Sequence, residues 1–211
     1  MISALNESFL DRLSGVIALK RATYDALRRD PAATGQAWFI VVFLGLANGI
    51  ALITTPLVIV PRDAADETAA ALAQLAAALA FDTTERQVLA LVMGVIGAII
   101  SWYLSSWLIR VIGNRVADSG QTATTTEMRR LVGWGYAPSL ASFLSPIPLI
   151  GPLLALFGTL WAFVTGIMAV RAAFDIGIGK AVAIEVAAFF LVLLVVMVVV
   201  VITVLLALPF A

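Results

Sequence analysis

Apolar residues in this chain fall into long unbroken runs separated by short polar stretches. Ala37 to Val60, Val88 to Ile109 and Val186 to Ala211 contain no formally charged side chain. A hydrocarbon core about 30 Å thick needs roughly 20 residues of helix to cross it. Lipid offers no partner for backbone N–H and C=O groups, so runs of this length must be helical there. The pattern predicts an all-α polytopic membrane protein. About five transmembrane helices are expected, at about 37–60, 88–111, 131–147, 153–171 and 181–208, behind an amphipathic segment at 1–36.

That first segment has a helical period. Leu5, Phe9, Leu13, Val16, Ile17, Tyr24 and Leu27 recur mostly at steps of three or four, with charged residues between them. The period predicts one helix from Leu5 to Asp30, ended by Pro31, which disfavours a helical residue before it. Such a helix lies either in the membrane interface or on the protein's own cytoplasmic surface. Between the first two spans, Asp63 and Asp66 are placed to cap a short surface helix over Glu67 to Ala80. The breaker-rich stretch Ser145 to Pro152 joins the third and fourth spans, which either cross fully or form a re-entrant hairpin.

Small residues are spaced for close helix contact. Gly45 and Gly49 stand four apart with Asn48 beside them, and Gly97, Ser101 and Ser105 share a face of the second span. Such seams let two helix backbones approach, within the bundle or with a partner.

Composition narrows the chemistry. The 211 residues are 62% hydrophobic and 12% charged, against about 25% charged in a soluble domain. Cysteine and histidine are absent. Disulfides and thiolate chemistry are therefore excluded, and the commonest metal and haem ligand is missing. No nucleophile has a base beside it and no glycine loop is placed to cradle phosphate, so neither catalytic residue nor cofactor nor metal is expected. Nor does a neutral, apolar chain point to nucleic acid.

Charge sets the expected orientation. Of the 13 basic residues all but Arg62 and Arg86 fall on one side of the five spans. The positive-inside rule puts that side, with the amino terminus, in the cytoplasm and the carboxyl terminus outside. Arg115, Arg129 and Arg130 on that side are candidate contacts for anionic lipid. Glu185, about one turn inside the fifth span, reads in two ways. It is either an intramembrane polar site or an interfacial carboxylate paired with Lys180 or Arg171.

Three segments carry a resemblance. Asp30 to Ala37 entering the first span, Thr126 to Pro138 leading into the third, and Trp161 to Arg171 followed by Lys180 and Ala181 resemble bacterial proteins of the Yip-domain family. The resemblance runs over about residues 12 to 205. It implies a five-helix membrane protein with a cytoplasmic amino terminus and brings no catalytic residues. Eukaryotic members of that family bind Rab-type GTPases, whereas its bacterial relatives have no agreed activity. Arginine- and alanine-rich usage suggests a bacterium, hence the cytoplasmic (inner) membrane.

The functional expectation is a non-enzymatic membrane protein acting by helix–helix contact. It would serve as a scaffold, a membrane-organising protein or an accessory subunit, with lipids and other membrane helices as partners. The alternative is a small transporter or channel for a neutral or lipid-like substrate, worked by Asn48, Glu185 and the Pro146–Pro152 break.

Overall fold

The computed structural model describes residues 8–54, 69–70, 73–74, 80–117 and 120–207, with side chains as far as 198. Its helices are α1 (Phe9–Ile17), α2 (Arg21–Arg29), α3 (Ala33–Thr54), α4 (Thr84–Val116), α5 (Thr125–Gly135), α6 (Ile150–Phe174) and α7 (Ile178–Ala207), with a 3-10 run at Ala137–Leu144 between α5 and α6. None of the described residues forms a strand. Four helices are long and apolar enough to cross a membrane: Ala33–Thr54, Thr84–Val116, Ile150–Phe174 and Ile178–Val198. Most of the expected helix over 67–80 lies outside the described residues.

Helices α3 and α4 run antiparallel with their backbones in contact. A Cβ on Gly45 would sit 2.5 Å from the Val95 Cα, and one on Gly49 would sit 2.7 Å from the Leu91 Cα. From the other side, a Cβ on Gly94 would meet the Gly45 carbonyl at 2.4 Å and the Gly49 nitrogen at 2.6 Å. Glycine is required at all three positions because any side chain would occupy the partner's main chain. Without a hydrophobic effect between helices in lipid, this close packing is what joins them.

The third expected span, 131–147, is not one helix. Helix α5 starts at a capping box, where Thr124 Oγ1 accepts from the Glu127 amide while Glu127 accepts from the Thr124 amide. It ends at Gly135, and the chain tightens into the 3-10 run after Tyr136. Pro138 is the cause: it has no N–H to continue an α-helix and biases Ala137 away from the helical region. This broken leg runs antiparallel along α6. Gly135 faces Gly166, the Pro138 carbonyl and Ala141 face Gly158, and the Leu144 carbonyl faces Gly151. Gly151 to Gly166 of α6 covers about 22 Å of helix axis. The reversal at its end sets Leu149 at φ 64°.

The amphipathic segment also differs from the single helix expected over Leu5–Asp30. It is a helical hairpin, α1 and α2, broken at Ala18–Lys20. Leu19 takes a left-handed φ of 56°, where glycine is the usual residue. The Leu19 amide bonds the Val16 carbonyl at 3.0 Å, and the Lys20 amide bonds that of Gly15 at 2.9 Å. Gly15 permits the fold-back, since a Cβ there would lie 2.2 Å from Thr23 Oγ1. Val16, Tyr24 and Leu27 are fully buried in one core with Met128, Leu131 and Trp134. Outward, α1 leaves Leu10 and Ile17 exposed.

The core is therefore thick at the arginine-rich end of the bundle. Trp102, Trp134, Tyr24 and Phe174, its largest fully buried side chains, cluster there. Toward the other end α4 exposes Val88, Val92, Met93 and Ile96, and α7 exposes Phe189 to Leu191 and Leu193 to Val198.

Gly94 and Gly97 sit one turn apart on α4 and separate the two kinds of glycine. A Cβ on Gly97 meets nothing within 4 Å. Gly94→Ala is expected to destabilise the protein by about 1–3 kcal/mol through overpacking, while Gly97→Ala is neutral or slightly stabilising. Thermal unfolding of the two variants in one detergent checks this. Equal melting temperatures would refute the α3–α4 contact.

Candidate functional site

Two groups of polar side chains stand out, one at the arginine-rich end and one inside the bundle. At the arginine-rich end Arg12 of α1 and Asp30, just after α2, form a buried ion pair. Arg12 Nη1 also donates to Gln36 Oε1 at 2.8 Å, and the Ala32 amide donates to Asp30 Oδ1 at 2.9 Å. Burial pushes the Asp30 carboxyl up. The Ala32 amide, Arg12 and the charge of Arg130 together outweigh it and hold the carboxyl below its ordinary range. Arg130 Nη1 donates to the Arg28 carbonyl at 2.9 Å, and Arg28 Nε to Glu127 Oε1 at 3.3 Å. Two indoles complete the fastening: Trp134 Nε1 donates to the Ala33 carbonyl at 3.2 Å and Trp102 Nε1 to that of Arg129 at 2.8 Å. The α1–α2 hairpin is thus bonded to the starts of α3 and α5.

The three arginines singled out for lipid contact occupy different settings. Arg115 is exposed, Arg130 is buried in the fastening, and Arg129 lies over the Tyr103 ring at 4.2 Å. The buried Nε atoms of Arg110, Arg129, Arg130 and Arg171 have no hydrogen-bond partner.

The second group lies where α4, the α5/3-10 break, α6 and α7 meet. The Tyr136 hydroxyl donates to Ser105 Oγ at 3.2 Å, and Ser101 reaches the same phenol. Thr165, fully buried on α6, donates to the Gly135 carbonyl at 2.6 Å. Glu185 of α7 turns its carboxylate toward α6, where a Cβ on Gly166 would lie 2.4 Å from Oε1. Its Oε2 is buried and has no hydrogen-bond partner.

Gly45 and Gly49 are thus taken up against Gly94 within the chain, and Ser101 and Ser105 turn toward Tyr136. Gly97 faces open space, and Asn48 is exposed on α3. Sequence reasoning missed Gly94, Gly166, Tyr136 and the Arg12–Asp30 pair. The first two are single glycines in apolar runs, with no spacing to set them apart. Tyr136 carried a signal, being a polar aromatic between two glycines and a proline. Among the described residues no group of three or more acidic, histidine or cysteine side chains comes together to hold a metal.

Asp30 and Glu127 both sit below their ordinary values; at Glu127 burial opposes the shift, while bonds from Thr124 and the charge of Arg28 produce it. A depressed carboxyl contributes stability above its unfolded value, and that contribution is lost as pH falls through the folded one. Stability should therefore decline below about pH 4, and Asp30→Asn should flatten part of the decline. At neutral pH, Asp30→Asn leaves Arg12 buried and unpaired, which costs about 3–5 kcal/mol. Denaturation midpoints across pH test both statements; a variant as stable as the parent at pH 7 would remove the ion pair from the fold's determinants.

No curated protein and no solved structure matches the chain in sequence or fold. The family model of the Yip1 domain matches residues 14–200, from the middle of α1 to the last turns of α7. This is a family of membrane proteins not known as enzymes. The chain belongs to the Yip1 domain family.

Proposed function

We propose that this chain is a non-enzymatic membrane protein acting by helix–helix contact, as a scaffold, membrane-organising protein or accessory subunit. Its setting is the bacterial cytoplasmic membrane. The four long helices and the broken leg beside α6 make five crossings, with the arginine-rich end and the amino terminus inside, as the charge asymmetry favours. Anionic lipid at Arg115 and Arg129 and further membrane helices are its partners.

One observation carries the reading. Asn48 stands exposed in α3, in the middle of an uncharged run that needs every turn to cross the bilayer. A primary amide facing hydrocarbon loses its water without replacement. A hydrogen-bonding side chain on a neighbouring protein's helix supplies that replacement, and polar side chains join membrane helices in this way. Gly45 and Gly49 are used internally, so Asn48 is the polar side chain the middle of α3 still presents outward. The transporter alternative keeps one supporting feature, the unpartnered Oε2 of Glu185.

The tagged protein at native level, purified in mild detergent, tests the contact reading. A stoichiometric membrane partner is expected with the parent and with Asn48→Gln, and is lost with Asn48→Leu. Retention by Asn48→Leu, or a chain that purifies alone, contradicts it.

A further inference from the structure

We propose that the Glu185 carboxyl is a proton-binding site inside the bundle, seated on Gly166 with its Oε2 buried and unpartnered. The inference does not depend on the contact reading, which rests on Asn48.

The seat is built rather than incidental. Gly166 supplies the room, because Oε1 occupies the space a Cβ there would take. Gly135 packs on the Gly166 backbone from the other side, so α5 closes over the same spot. Thr165, next to Gly166 on α6, is already engaged with the Gly135 carbonyl. An ionised carboxylate has about four acceptor positions to fill. Here Oε2 is buried with none of its own filled.

The helices packed on α7 are also uncharged over long stretches. α7 packs on α6 and α4. Between Gln87 and Ile109 of α4, and between Ile150 and Val170 of α6, the sequence holds no formal charge. The nearest charges on those helices are Arg110 and Arg171, and on α7 itself Lys180. Lys180 lies five residues from Glu185, and Arg171 five from Gly166. That is about 7.5 Å along the axis and about 140° around it. The 3-10 run carries no titratable side chain, and Tyr136 is the titratable group just before it. A carboxylate with a buried, unpartnered oxygen is costly to keep ionised, whereas the neutral acid is less so and can donate a hydrogen bond.

The step is an acid–base equilibrium. An O–H bond forms on the Glu185 carboxyl, the proton comes from water at the arginine-rich end, and release returns it there. The distance is short, since Gly166 lies only about a turn and a half from Arg171.

Dicyclohexylcarbodiimide, an apolar reagent that attacks protonated carboxyls, provides the test on the full-length protein in lipid nanodiscs, read by peptide mass spectrometry. Glu185 should be modified at least about tenfold faster than any other carboxyl near pH 7, with the rate falling as pH rises. Glu185→Gln should lose that adduct. Gly166→Ala, whose Cβ displaces the carboxyl, should lose the selectivity while the protein still elutes as a folded species. Modification no faster than at surface carboxyls, or a rate independent of pH, would overturn the proposal. Protection by sodium at constant pH would overturn it too, by assigning the seat to a metal cation.

Discussion

The contact of α3 with α4, main chain against main chain, is the constraint on which the rest of the bundle depends. Gly45 and Gly49 meet Gly94 from opposite sides, and the two helices close to a separation that no other residue allows. That contact fixes their antiparallel register and brings Ala37 beside Trp102. α5 then enters between them, where a Cβ on Gly133 would lie 2.7 Å from the Ala37 Cβ and 3.1 Å from Trp102 Nε1. With α5 placed, its continuation runs along α6, and α6 with α4 supports α7. Each later helix finds its groove because the first two leave none between themselves.

Polar bonding is concentrated at one end of this arrangement. Arg12 with Gln36, Arg28 with Glu127 and Arg130 with the Arg28 carbonyl tie the α1–α2 hairpin to the starts of α3 and α5, and two indole N–H groups tie α5 to α3 and α4. A buried ion pair adds little net stability compared with an apolar pair of the same shape, but it tolerates few alternative arrangements. Here the Arg12–Asp30 pair fixes how α1 folds back against the end of α2. Among the described residues the other end has neither this bonding nor this core thickness, and α7 presents its apolar side chains there. The molecule is fastened at one end and presents a lipid-facing surface at the other.

The sequence carried much of this and concealed a definite part. Runs such as Val88–Ile109 and the arginine asymmetry made the membrane character and the helical class legible, because length and charge act locally. The resemblance through Thr126–Pro138 pointed to the family that the match over 14–200 establishes. Leu19 was opaque: a leucine in a left-handed turn breaks no apolar period, so one helix was expected where two are found. The third leg was half legible, since Pro138 was visible as an interruption but not as the start of an eight-residue 3-10 run. Glu185 was visible as a carboxyl near a helix end. Its seat was not, because Gly166, Tyr136 and Glu185 are brought together only by the packing of three separate segments.

The central claim is that the glycine seam of α3 and α4 joins two helices of the same chain. The most direct test compares the unfolding of the parent and of Gly49→Ile in nanodiscs loaded with one copy each, and again in discs loaded with several. A seam within the chain predicts the same loss of stability at both loadings. A loss that disappears when each copy is alone would mean that the glycines serve a contact between molecules, and would contradict the account.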